Sequence, residues 1–75
     1  MGDSDYGVVL FYSTSGAIRA EKLTKEAGLR VKLIPVPRQL SSDCGVCLRF
    51  EWTDTNQVSS ILDGAQIEFE EICAL

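Results

Sequence analysis

The sequence predicts an α+β domain of the ferredoxin-like, split βαβ type: a βαββαβ order, a four-stranded antiparallel sheet and two helices on one face. Three observations predict it. Short apolar runs rich in β-forming residues alternate with two helix-like segments. Right-handed crossovers on that order produce this topology. The length of 75 residues suits one domain. We expect residues 1–75 to form a single domain, with 1–5 as an N-terminal tail.

The N-terminal half predicts one strand and one helix. Residues 7–12 form an apolar run typical of a buried strand, and the polar residues 13–15 that follow offer several helix N-caps. Residues 15–27 then follow a helical period, with Gly28 where a helix C′ residue belongs. The predicted inward face of this helix consists of Ala17, Ala20, Leu23 and Ala27.

The rest of the chain predicts the pattern β-β-α-β. A strand over 29–36 ends at two prolines, and 37–45 forms the longest irregular stretch. Residues 46–52 alternate as a strand, with Val46, Leu48, Phe50 and Trp52 on one face and Cys47, Arg49 and Glu51 on the other.

The C-terminal elements are a helix and a strand. Thr53 or Asp54 caps a helix that runs to Asp63, with Gly64 as its C′ residue. A last strand covers 67–73, and the break in its alternation at Glu70–Glu71 predicts a bulge or the strand's end.

Composition narrows the function classes. The chain has seven Lys and Arg against eleven Asp and Glu, a net charge of −4, which argues against nucleic acid as a partner. No apolar run approaches the ~20 residues of a membrane helix, and no signal-peptide pattern occurs. We therefore expect a cytoplasmic protein with no membrane association. The chain has no histidine, which excludes triad hydrolases and Cys-His proteases.

The residue best suited to chemistry is Cys44, in the polar stretch before the third strand. A thiol reacts as its thiolate, so nearby cations favour it. Arg38 enters the same loop and Arg49 leaves it along the strand. Ser41 offers a polar neighbour, and Gly45 lets the backbone adopt a positive φ that gathers N–H groups around an anion. Asp43 works against the thiolate, and Cys44 as a plain loop residue is an equal alternative.

Cys47 completes a C-x-x-C pattern with Cys44, but extended geometry would place the two Cα atoms ~10 Å apart. A disulfide needs about 4.4–6.8 Å, so the pair can form only if Gly45 makes a turn. A packed, small strand side chain is the favoured reading of Cys47. With three cysteines and no secretion signal, we expect reduced thiols. A structural zinc site needs four Cys or His ligands and this chain offers at most three, so we expect no metal and no cofactor; the alternative is a zinc or iron–sulfur site that bridges two chains through their C-x-x-C pairs.

Several motifs together resemble a known family. They are Phe11-Tyr12-Ser13, Ala20-Glu21-Lys22-Leu23 and Pro35-Val36-Pro37-Arg38, followed by Ser41 and Cys44-Gly45. This pattern is similar to the small bacterial selenium/sulfur carrier-like domains, and its most specific part is P-x-P-R followed by S-x-x-C-G. The resemblance implies a protein that holds sulfur or selenium on a cysteine, which matches Cys44. Cys47 is outside the family's core pattern.

Besides the metal site, two functional hypotheses follow. In the first, the chain is a carrier rather than an enzyme: Cys44 takes the atom from a donor protein, holds it as a persulfide or selenosulfide, and passes it to an acceptor protein. Arg38 then favours the anion, and Cys47 could serve as a resolving thiol. In the second, the domain is a non-enzymatic ligand-binding or interaction module, which could form a homodimer, and Cys44 is only a loop residue.

Overall fold

The computed structural model describes residues 5–40 and 44–75. Within them the secondary structure follows the predicted order. The strands and helices are β1 (Tyr6–Phe11), α1 (Thr14–Glu26), β2 (Val31–Pro35), β3 (Val46–Glu51), α2 (Thr55–Gly64) and β4 (Phe69–Ala74), with a 3₁₀ turn at Trp52–Asp54 before α2.

The predicted fold is confirmed by the sheet. Its strands lie in the order β2-β3-β1-β4 and every neighbouring pair is antiparallel. One face packs against both helices, where Leu48 and Phe50 of β3 join Ala17 and Ala20 of α1 and Val58 of α2. Cys47 lies on the opposite face. The alternation read from residues 46–50 therefore assigns the two faces correctly.

Some local details match the predictions. Gly28 has φ +88°, as expected of a helix C′ residue. Leu10 pairs with Glu71 and Phe11 with Phe69, so Glu70 is the extra residue of a bulge.

Other local predictions are wrong. Trp52 lies in the 3₁₀ turn rather than in β3. Gly64 is inside α2, and Gln66 has the positive φ of 57° after it. Ala27 is exposed, whereas Thr24 is buried. Burial of the Thr24 hydroxyl is tolerated because the hydroxyl donates to the Ala20 carbonyl at 2.8 Å.

The face of the sheet without helices carries a second apolar cluster. Val8, Leu10 and Cys47 are at most 3% exposed there. They are covered in part by the segment that leaves β2, since Val36 and Leu40 pack against them. A hydrogen bond from the Leu40 N–H to the Pro37 carbonyl (3.0 Å) closes the turn that brings Leu40 back. None of the helices described reaches the length and apolarity needed to cross a membrane.

Candidate thiol site

The fold brings Cys44 to the start of α1. Because β1 and β3 are antiparallel neighbours, with Leu10 opposite Cys47, the segment before β3 lies beside the end of β1. Helix α1 begins three residues after β1 ends. The Cys44 Sγ consequently lies 3.6 Å from the hydroxyl of Thr14, the first residue of α1, within hydrogen-bond range for sulfur.

The N-terminus of α1 is an electropositive environment. Its first-turn amides have no partners within the helix, and their dipoles add to a partial positive charge. The hydroxyl of Ser13 caps one of them by accepting from the Gly16 N–H at 3.3 Å. The first turn contains no acidic residue. The positive end of the helix is therefore not offset by a carboxylate of its own, and a nearby sulfur anion would be stabilised by roughly 0.3–1 kcal/mol.

Cys44 is buried, although Gly45, the next residue in the chain, is exposed. The surface of Cys44 is 3% exposed, while Gly45 has no atom within 4 Å of the place where a Cβ would be. The expectation of a positive φ at Gly45 is wrong: its φ lies outside the left-handed range. The backbone here continues toward the ladder, with the Gly45 carbonyl accepting from the Val36 N–H at 3.2 Å. Gly45 thus builds no positive-φ anion nest.

Cys47 is a packed side chain. It has no exposed surface, and its thiol points to the Pro35 carbonyl at 4.0 Å. Burial raises the pKa of the Cys47 thiol, and the neighbouring Cys44 and Cys73 raise it further. Cys47 is therefore protonated at neutral pH and is a weak nucleophile in this position. Its role as a resolving thiol stays a prediction.

The third cysteine, Cys73, is half-buried on β4. Burial raises the pKa of its thiol, and so does Glu71, first through a hydrogen bond and then through its charge. All three cysteines are thiols rather than disulfides. Within the described residues, no three side chains of metal-binding type lie close enough to share an ion.

The remaining predicted site residues are Arg38, Ser41 and Arg49. Arg38 is exposed in the turn that follows β2. Arg49 lies in the opposite half of β3, where its guanidinium sits 4.7 Å from the centre of the Tyr6 ring. Ser41 is outside the described residues. The predicted effects of Arg38, Ser41 and Arg49 on the Cys44 thiolate stay predictions.

Sequence reasoning missed Thr14, which it treated only as one of several N-cap candidates. The signal was nonetheless present in the topology. In a βαββαβ sheet the β1–α1 junction and the segment before β3 lie at the same end, because β1 and β3 run in opposite directions. A polar residue at the start of α1 could thus have been paired with Cys44 before any coordinates were known.

Most of the chain is similar to a known protein family. Residues 6–74 match the model of the family described as "Putative Se/S carrier protein-like". A relative from Escherichia coli (strain K12), "Uncharacterized protein YtiA", is 29% identical over 55 residues. That match covers 73% of this chain and 65% of the relative's length. No solved structure matches the chain.

Proposed function

We propose, because the chain belongs to the Se/S carrier protein-like family, that it carries sulfur or selenium as a single atom on Cys44. The observation that carries this assignment is the contact between the Cys44 Sγ and Thr14 at the start of α1. Of the three cysteines, Cys44 is the one described here in contact with the first residue of a helix. Cys47 lies in an apolar cluster, and Cys73 is beside a carboxylate.

The chemistry is a sulfur exchange without net oxidation. The Cys44 thiolate attacks the terminal sulfur of a persulfide on the donor protein. A new S–S bond forms on Cys44 as the donor's S–S bond breaks, and the electron pair of that bond leaves on the donor thiolate. An acceptor thiolate attacks the terminal sulfur of Cys44 in the same way. A selenium atom follows the same steps through an S–Se bond.

The surroundings of Cys44 suit such a cargo in two ways. A persulfide is an anion near neutral pH, and the N-terminus of α1, whose first turn carries no acidic residue, favours an anion at this position. The Thr14 hydroxyl can donate to it at the distance observed. Burial keeps water and small thiols away from the carried atom between transfers.

Mass spectrometry tests the assignment directly. The protein is incubated with a cysteine desulfurase and cysteine, and its intact mass is measured without reductant. We expect a gain of about 32 Da for one sulfur atom in the wild type and in the matched control Cys73→Ser, and none in Cys44→Ser. No gain in the wild type, or a gain that persists in Cys44→Ser, would contradict the proposal.

The role of Thr14 has its own test. Replacing Thr14 with valine removes the hydroxyl at nearly constant volume, whereas Thr14→Ser keeps it. A hydrogen bond to a charged group contributes about 1.5–3 kcal/mol, so we expect Thr14→Val to slow loading at least about tenfold and Thr14→Ser to stay near the wild-type rate. Equal rates in the two variants would show that the hydroxyl does not act on the sulfur.

A further inference from the structure

A basic groove lies at the opposite end of the sheet from Cys44. It has a volume of about 590 Å³ and opens where α1 ends, β2 begins and β3 ends. Its polar lining consists of Lys25, Arg30, Lys32 and Arg49, together with Tyr6 and Glu51. Four of the seven cations in a chain of net charge −4 thus line one groove beside a single carboxylate.

The four cations of this basic groove differ in how far other side chains of the protein neutralise their charge. Lys25 is paired with Glu21 at 3.2 Å. Arg49 contacts the face of the Tyr6 ring, which orients a guanidinium without neutralising it. Arg30 and Lys32 are exposed. The groove therefore keeps a positive field in an otherwise acidic protein, which favours an anionic occupant.

The groove is continuous with the open backbone of an edge strand, since Val31 and Lys32 of β2 line it. In the sheet, β2 is at one edge. The Val36 N–H donates to the Gly45 carbonyl, in the segment that enters β3. Because hydrogen-bonded positions alternate along an antiparallel pair, the backbone N–H and C=O groups of Ile34 and Lys32 also face β3. The amides and carbonyls of Val31 and Leu33 then face the open edge. Pro35 has no N–H to offer there, which limits pairing to the part of β2 beside the cations.

We propose that an extended acidic segment of a partner protein binds along the Val31–Leu33 edge of β2, with its carboxylates facing Arg30, Lys32 and Arg49. Strand addition supplies main-chain hydrogen bonds, and the flanking side chains supply selectivity. Lysine at an edge discourages pairing with an apolar strand, but it attracts an acidic one. This proposal rests on the proposed function in that the partner is the sulfur donor or acceptor.

A protein segment fits the groove better than a small anion does. The lining combines Tyr6 and Arg49, the residue types enriched at protein interfaces, with a strand edge that a phosphate cannot pair. Cys44 precedes Arg49 by five residues, roughly 16 Å along an extended strand. A partner anchored at the groove can therefore reach Cys44 without covering it.

The test uses nuclear magnetic resonance on the full chain. The probe is a blocked peptide that alternates valine and glutamate, and matched peptides carry glutamine or lysine in place of glutamate. We expect the amide signals of residues 30–33 to shift with the glutamate peptide alone. Hydrogen exchange at Leu33 should slow at least about tenfold on binding, whereas exchange at Ile34, already bonded to β3, should not change.

Matched variants separate charge at the groove from charge in general. We expect Arg30→Gln/Lys32→Gln to weaken peptide binding about five- to tenfold, and Arg19→Gln/Lys22→Gln, with the same charge change on exposed positions of α1, to weaken it less than about twofold. Equal losses in the two variants, tighter binding of ATP or inorganic phosphate at residues 30–33, or self-association through β2 would each overturn the proposal.

The outcome is independent of thiol chemistry. Peptide binding is measured in the wild type and in Cys44→Ser, and we expect the same affinity in both. If the peptide fails to bind while Cys44 still gains sulfur, this inference alone is wrong. If binding occurs and Cys44 gains no sulfur, the carrier function is wrong.

Discussion

Under the proposed function, the Cys44 thiol, which is 3% exposed, must become accessible without unfolding of the domain. The turn of residues 37–40 is the described segment that precedes Cys44, and Leu40 holds it against the Val8–Leu10–Cys47 cluster. If detachment of this turn exposes Cys44, then truncation of Leu40 should make exposure easier. We therefore predict that Leu40→Ala accelerates alkylation of the native Cys44 thiol.

The magnitude follows from the burial of Leu40. Replacing a fully buried leucine with alanine costs about 2–5 kcal/mol, and Leu40 is only partly buried. We expect Leu40→Ala to cost about 1–2 kcal/mol, and this cost destabilises only the state in which the turn packs against the sheet. The exposed population then rises about 5- to 30-fold, and so does the alkylation rate when detachment and return are fast relative to the reaction.

The assay follows alkylation at each cysteine by peptide mass mapping, with Cys47 as an internal reference. Cys47 has no exposed surface in the middle of the sheet, so it reacts only when the sheet opens. The matched control is Val58→Ala in α2, which removes about 2 kcal/mol of core packing far from the turn. We expect this control to accelerate alkylation of Cys47 and to leave the alkylation rate of Cys44 unchanged. Equal rates for Cys44 and Cys47 in all three proteins would refute local exposure.

Two predictions concern the rest of the fold. Gly7→Ala should lower the free energy of unfolding by about 1–3 kcal/mol in urea titration, because the new Cβ would lie 2.5 Å from the Trp52 ring. The matched control is Gly64→Ala, whose Cβ meets open space and should not destabilise the protein. Equal losses in the two variants would contradict this reason. The raised pKa of Cys47 means that the native state keeps its proton where the unfolded chain loses it. Stability should therefore fall as pH rises above about 8.5, the ordinary thiol value, and less steeply in Cys47→Ala; parallel pH profiles would contradict the burial effect.

The fold could be predicted from the sequence because its signals are local. The period-two alternation of 46–50 assigns the faces of β3, and the break at Glu70–Glu71 marks the bulge. The local errors have local causes as well. The chain at Trp52 enters a 3₁₀ turn before α2, and α2 continues through Gly64 because a glycine can remain helical when the φ change falls on Gln66 instead.

The surroundings of Cys44 and the basic groove were harder to predict because they depend on pairing across the sheet. The seven cations appear scattered among acids in the sequence. The β2–β3 register places Lys32 opposite Arg49, and the end of α1 adds Lys25. Likewise, the contact between Cys44 and Thr14 joins residues that are thirty positions apart in the chain. The overall composition argued against nucleic acid as a partner but could not show that one groove of an acidic protein is basic.

The proposed carrier function requires a thin domain both to shield and to release a reactive sulfur. One face of the sheet packs against two helices, and loss of that packing would unfold the protein. The other face is covered in part by a turn that contributes Leu40, and this cover is not needed for the helix-side core. If detachment of that turn exposes Cys44, the exposure costs a few apolar contacts rather than the core. In the proposed transfer the N-terminus of α1 stays beside Cys44, so the sulfur anion keeps its stabilising partner.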